Sequence, residues 1–285
     1  MTDAVRQVFG SIDDVAAEHG LPLLGAWLLG PRPPTGRDLA EAPAGTLQLA
    51  AYSVSMTTHQ MLSRLYGPPA AVVGVSFGEI AAVTAAGVLT VADGARAALD
   101  LARVLSLCPG GLTLLGCPVQ RAHRLLAEAG ADDTVVAVVN DDRTVVVSGP
   151  LPDLVRLEKT AAETHTDAVR LRLPFSSHHP SLTPQAGAFA TLLRAYAWSE
   201  ACCPVFSAVA GRCYRPEDDL RLGLADCLVK PAVVPAVLHR LREFRPDVLF
   251  EAGTGDALAR SARRVLSACG GPPVHAPLTD AGFPW

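Results

Sequence analysis

Apolar positions in this chain recur with two different periods, and the places where one period replaces the other predict the order of its elements. An amphipathic helix is predicted over 13–19. The segment 30–44, with prolines at 31, 33, 34 and 43, reads as a loop, and 47–65 as a long helix. The run Ala70-Ala71-Val72-Val73 is continuous and short, as in a strand buried on both faces, and helical spacing resumes at Phe77 and lasts to Gly87. A further helix spans 92–107, with Asp93 near its start and Pro109-Gly110-Gly111 stopping it. The pattern then shortens. Strands are predicted at 112–116, 134–139, 144–148 and 168–173, and helices at 119–129 and 151–164, with a turn at 140–143 between the middle strands. This order, βαββαβ, is that of a ferredoxin-like unit. Beyond it come a helix over 185–197, a strand at 205–209, a helix over 233–244, a strand at 248–251, a last helix ending at Ala268 and a proline- and glycine-rich strap over 270–285. Strands alternating with helices imply an α/β fold with a mostly parallel sheet covered on both faces. Residues 1–107 and 174–285 are expected to form this large subdomain, with 108–173 inserted as the small one.

Composition narrows the function classes. A chain of 285 residues that is 49% hydrophobic can build a full core. A net charge of −4 with interspersed signs, and no basic block, excludes nucleic acid as the expected partner. Every apolar run is broken before about 18 residues, and no charged-then-apolar leader opens the chain, so no membrane association is expected. Seven cysteines, without a C-x-x-C pair and with Cys202 and Cys203 adjacent, fit a reduced, cytoplasmic protein in which they act as small core residues.

The chemistry concentrates at Gly74-Val75-Ser76-Phe77-Gly78-Glu79, where a serine lies between two glycines at a strand-to-helix junction. That is the pattern of a nucleophile elbow, as in α/β-hydrolase-like sheets. Gly74 and Gly78 are expected to admit the tight turn, Ser76 to stand at the positive end of the following helix, and Glu79 to cap or pair within that helix without a chemical role. A serine hydroxyl needs a base near neutral pH, and imidazole is the side chain that titrates there. The segment Pro174-Phe175-Ser176-Ser177-His178-His179-Pro180 offers two, His178 and His179. Metal binding by the pair is not expected, because adjacent side chains diverge and no cysteine or carboxylate cluster joins them.

Four blocks together, GVSFGEIAAVTAAGVLT, VVNDDRTVVVSGP, FSSHHPSL and LFEAGTG, resemble in sequence and order the malonyl-CoA:acyl-carrier-protein transacylase family, including the acyltransferase domains of polyketide synthases. The resemblance runs from Val5 to Val265. It implies that Ser76 is the nucleophile, that His178 is the general base and acid, since His179 fills the family's single slot before Pro180, and that a main-chain carbonyl in Val229-Lys230-Pro231 orients the histidine. It also implies substrates carried on the phosphopantetheine of an acyl carrier protein or on coenzyme A, with no permanently bound cofactor. Three departures from the family pattern matter. Leu101 stands where the family places the arginine that pairs with a malonyl carboxylate, and Arg103, two helical steps on, points to nearly the opposite face. The family's G-Q-G-S-Q loop, which supplies one of two oxyanion donors, has no counterpart; its spacing places it, with the first strand, before Met1. The Phe77 N–H then remains as one donor, with the glycine-rich segment 25–30 or a partner as candidate for the other. Val75 replaces a histidine beside the nucleophile and, with Phe77 and Leu101, makes the site more apolar. Thr254 replaces a proline in the last block.

The expected function is therefore transfer of a non-carboxylated acyl group, such as an aminoacyl, peptidyl or fatty starter unit, to or between acyl carrier proteins in polyketide-type biosynthesis. Arg240, Arg242, Arg245, Arg260, Arg263 and Arg264 could offer an acidic carrier a docking surface, with scattered solvated charge as the simpler reading. The alternatives are an editing thioester hydrolase using the same pair, a general hydrolase whose triad is completed by Asp141, Asp142 or Asp167, and a non-catalytic carrier-docking protein. The oligomeric state is not encoded in any of these patterns.

Overall fold

A computed structural model describes residues 3–267 and 270–285; Ala268, the expected end of the last helix, lies outside them. The first layer is helical. Helix α1 (Asp3–Glu18) is longer than expected, with Val5, Val8, Ile12 and Val15 on one buried stripe. Its Asp13 carboxylate accepts the Leu24 N–H at 2.6 Å and the Gly25 N–H at 3.1 Å, which anchors the start of α2 (Leu24–Leu28). The expected loop 30–44 contains α3 (Gly36–Glu41), begun by a reciprocal cap between Thr35 and Asp38 that the prolines had obscured. Helix α4 (Thr46–Tyr66) leads to strand β1 (Val72–Gly74) and helix α5 (Gly78–Ala85). Helix α6 (Val91–Leu105) starts at Thr90, whose hydroxyl accepts the Asp93 N–H at 3.0 Å. Tyr52 of α4 bonds Thr84 and the Val91 carbonyl, and only a glycine at 94 leaves room for its ring.

Next come β2 (Gly111–Leu115), α7 (Val119–Glu128), β3 (Val135–Val139), β4 (Val145–Gly149), α8 (Leu151–Glu163) and β5 (Ala168–Arg170). The chain continues through α9 (Thr183–Leu192), β6 (Val205–Ser207), β7 (Arg212–Cys213), α10 (Leu220–Asp226), β8 (Ala232–Val233), α11 (Val234–Leu241), β9 (Leu249–Phe250), α12 (Ala257–Ser267) and β10 (Val274–His275). One sheet has the order β5-β2-β4-β3-β8. Its first four strands are antiparallel neighbours in the ferredoxin-like arrangement, while β8 adds in parallel, Val138 opposite Ala232. Strand β8, which lies outside the expected insertion, thus shares a sheet with the strands expected within it.

The expected mostly parallel sheet is present in two short pieces, β1-β6-β7 and β10-β9. Strands β1 and β6 are parallel, Val73 opposite Phe206, and β9 and β10 are parallel. The strand expected to reach 209 ends at Ser207, because a turn closed by the Gly211 N–H on the Ser207 carbonyl reverses the chain into antiparallel β7. The expected strap over 270–285 contributes β10, and its Phe283 packs on Phe250 and Tyr66. Val73 and Val75 share an apolar core with Phe206 and Leu249, so both pieces lie on one hydrophobic layer. Among the described residues, no helix is long and apolar enough to cross a membrane.

Candidate active site

Close approach of backbone to backbone makes the elbow. A Cβ at Gly74 would stand 2.5 Å from Glu79 Cγ and 2.6 Å from Glu79 Cα, so α5 can fold back on β1 only over a glycine. Gly78 differs from expectation: nothing lies within 4 Å of a Cβ there, and the turn does not need it. Ser76 has φ 54°, a left-handed conformation that is costly for a residue with a side chain. The turn is closed by the Gly78 N–H on the Val75 carbonyl at 3.0 Å and the Glu79 N–H on the Ser76 carbonyl at 2.9 Å. Among the described residues the Phe77 N–H makes no hydrogen bond, and it stands at the positive end of α5.

His178 reaches this turn from the far side of the chain. Its Nε2 lies 2.7 Å from Ser76 Oγ and its Nδ1 2.7 Å from the Lys230 carbonyl oxygen. A carbonyl can only accept, so Nδ1 carries the proton and Nε2 is left to accept from the serine hydroxyl. The ring is 1% exposed, and that burial pushes its pKa below the ordinary 6.5, with the Lys230 bond opposing the shift. Like Ser76, His178 has φ 54°. The Ser176 N–H donates to the Cys108 carbonyl, the Ser177 N–H to Ser148 Oγ at 3.2 Å, and the His179 N–H to the Leu228 carbonyl. Ser148 and Ser176 bond each other at 2.7 Å, a support for this segment that local sequence did not disclose.

The other candidates separate. His179 turns away to Ser181 and the Asp133 carbonyl. No carboxylate sits on Nδ1 of His178, and Asp141 is committed to Thr144, Ser261 and Arg264, so the three-residue triad is not assembled. Val75 and Phe77 are half-buried and diverge, Val75 into the core beneath β1 and Phe77 into the helical core. Leu101 is 5% exposed in that same helical core, together with Phe175. Arg103 points outward to Asp100 and His19, on the other face as its spacing requires. In the segment 25–30 the Gly25 N–H is already taken by Asp13, and the Leu29 N–H by the Gly25 carbonyl. Of the candidate docking arginines, Arg240 meets Glu243, Arg260 meets Asp256, Arg263 meets the Val274 carbonyl and Arg264 meets Asp141. Among the described residues no cluster could hold a metal ion.

Glu79 neither caps nor pairs within α5. It is buried, and its oxygens accept from Ser207 Oγ at 2.6 Å and from the Tyr214 hydroxyl at 2.8 Å. Lacking a cation, it has its pKa pushed up to about 7 by burial, against the pull of those bonds.

Comparison with known proteins places this geometry. The model of a family described as acyl transferase domain matches residues 44–211. A spectinabilin polyketide synthase system protein of Streptomyces orinoci is 40% identical over 124 residues, which cover 42% of this chain and 3% of that protein. The chain thus spans only a small part of that curated relative's length. The structure of a malonyl-CoA:acyl carrier protein transacylase from Xanthomonas oryzae pv. oryzae superposes with a TM-score of 0.84 at 22% identity, covering 98% of this chain and 88% of the other. A malonyl-transacylase in complex with a type II polyketide synthase acyl-carrier protein superposes with a TM-score of 0.82 at 20% identity, covering 96% and 88%. These two likenesses carry the fold. With the family model matched over more than half its length, the chain belongs to the acyl transferase domain family.

Proposed function

We propose that this chain moves a non-carboxylated acyl group, through an ester on Ser76, to or between acyl carrier proteins in polyketide-type biosynthesis. The observation that carries the reading is the 2.7 Å approach of His178 Nε2 to Ser76 Oγ with Nδ1 fixed on a carbonyl. His178 takes the hydroxyl proton as Ser76 Oγ attacks the thioester carbonyl, and the oxyanion forms against the Phe77 N–H at the start of α5. Collapse breaks the C–S bond and returns the proton to the leaving thiolate. The phosphopantetheine thiol of a second carrier, or coenzyme A, then reverses the sequence, and no resident cofactor is required.

Leu101 supports the choice of acyl group. A malonyl carboxylate against a buried leucine would lose its water without gaining a cation, a cost of several kcal/mol, on the order of that for a buried unpaired charge. The carrier partner is proposed from the family and from the carrier-bound relative above; the arginines count little toward it, being largely neutralised within the chain. We also propose the division into a large part, 1–107 and 174–285, and a small part, 108–173, with Ser76 and His178 contributed by the large part.

Loading the protein with a panel of acyl thioesters and then adding a holo-carrier tests the reading. Acyl-carrier is the expected product. Free acid would assign the same pair to thioester hydrolysis, and no adduct from any thioester, with Ser76 inert to a fluorophosphonate, would leave only a docking role.

A further inference from the structure

The transfer chemistry above makes no use of Glu79, yet this carboxylate joins several of the segments that meet at the elbow. Its own helix begins at the elbow. Ser207, which donates to Oε1, ends β6, and its Oγ also accepts the Ala210 N–H at 2.9 Å. Tyr214, which donates to Oε2, follows β7, and its hydroxyl rests where a Cβ on Gly223 of α10 would otherwise stand, 2.5 Å away. Past the end of α10, the buried Cys227 thiol points at the Ser76 carbonyl oxygen at 3.8 Å. Three residues later comes Lys230, whose N–H is held by the Asp226 carbonyl and whose own carbonyl holds His178. One cluster therefore touches the turn that presents the nucleophile and the loop that orients the base.

We propose that Glu79 is a positioning residue, whose ionised carboxylate clamps β6, the segment after β7 and α10 against the elbow and so sets the Ser76 to His178 distance. This rests on reading those two residues as the reacting pair. Both hydroxyls donate best to an ionised Glu79; on protonation one oxygen becomes a donor and a poorer acceptor, which weakens the bonds that hold the cluster. The titratable groups facing it are Tyr214 and Cys227, each pushed upward by burial and so neutral across the physiological range. Of the elements packed on α5, β1 and β6 carry no ionisable side chain. In α4 and α6, Tyr52 bonds Thr84 and Val91, Asp93 bonds Arg96, and Asp100 bonds Tyr196. Burial places the Glu79 titration at about 7, so the clamp loosens within the range where the protein would work.

A fluorophosphonate phosphonylates a nucleophilic serine with loss of fluoride, whatever acyl group the pocket prefers. Its rate on Ser76, read by intact-protein mass spectrometry from pH 5 to 9, is the test. The wild-type rate is expected to fall with acid in two steps, one near 7 and one below 6.5 from His178. Glu79→Gln keeps the shape but cannot ionise; it should react about tenfold more slowly at pH 8 and lose the upper step. Tyr214→Phe removes one donor and leaves the charge, so it should slow the reaction several-fold and keep both steps, and it carries the test if Glu79→Gln does not fold. Glu79→Gln with the wild-type rate and both acid steps, or Tyr214→Phe with the wild-type rate, would overturn the proposal. Ser76→Ala, run in parallel, separates the two ideas: continued labelling there removes the reacting pair itself, whereas loss of labelling beside an unaffected Glu79→Gln removes only the clamp.

Discussion

The two glycines that flank Ser76 are equivalent in the motif and opposite in the structure, and substituting each by alanine exploits the difference. At Gly74 the added methyl would meet Glu79 Cγ at 2.5 Å and Glu79 Cα at 2.6 Å, where ordinary contact begins at 3.4 Å. Glu79 Cα is backbone and cannot rotate aside, so α5 must move off β1 by about 1 Å, with an overpacking cost of about 1–3 kcal/mol. Ser76 lies between the two elements, and a misplacement of about 1 Å at a reacting atom can cost about 10²-fold in rate. At Gly78 nothing stands within 4 Å, and alanine in the first turn of α5 should stabilise by about 0.4–1 kcal/mol through the unfolded chain. Fluorophosphonate labelling and thermal unfolding measured on both variants give the comparison. Gly74→Ala should lower both rate and melting temperature, and Gly78→Ala should keep the rate within twofold and raise the melting temperature. Equal damage from the two, or none from Gly74→Ala, would refute the argument that close packing of α5 on β1 forms the elbow.

Two further outcomes follow from buried groups. Glu79 has a folded-state pKa raised from 4.5 to about 7, so its contribution to stability is fully present below about 4.5 and is lost as pH rises through 7, a change of about 3 kcal/mol. Glu79→Gln should therefore gain stability relative to wild type by about that amount between pH 4.5 and pH 8, measured by denaturant unfolding; a gap that does not vary with pH would contradict the placement. Leu101→Arg puts a guanidinium where the helical core is apolar, so it should lower the melting temperature while raising the fraction of malonyl adduct over butyryl adduct in a mixed-thioester loading. Unchanged selectivity would show that position 101 does not face the acyl group.

What could be read from sequence was what is local. The elbow is six consecutive residues, and the strand, the turn and the helix each leave a mark there. Strands β2 to β5 were legible for the same reason, because Pro118, Asn140 to Arg143 and Pro150 punctuate them. Two-residue strands are too short for periodicity: β9 was anticipated through the apolar run 248–251, whereas β7, β8 and β10 were not, and with them went the break in the parallel sheet. Glu79 shows the limit most clearly. In a first helical turn a carboxylate looks like a cap, yet its actual partners are 128 and 135 residues away, and only the folded chain brings Ser207 and Tyr214 beneath it. Ser76 and His178 are 102 residues apart, and their pairing was anticipated only through the family resemblance, since no spacing rule connects them. In the segment 25–30 the Gly25 amide is held by the Asp13 carboxylate, a partner 12 residues back that the glycine pattern alone does not disclose.

The measurement that bears most directly on the central claim is intact-protein mass spectrometry after mixing the protein with equal amounts of butyryl-coenzyme A and malonyl-coenzyme A. A butyryl adduct on Ser76 is predicted, absent in Ser76→Ala and slowed by orders of magnitude in His178→Ala. A malonyl adduct in excess over butyryl, or a butyryl adduct that persists in Ser76→Ala, would contradict it.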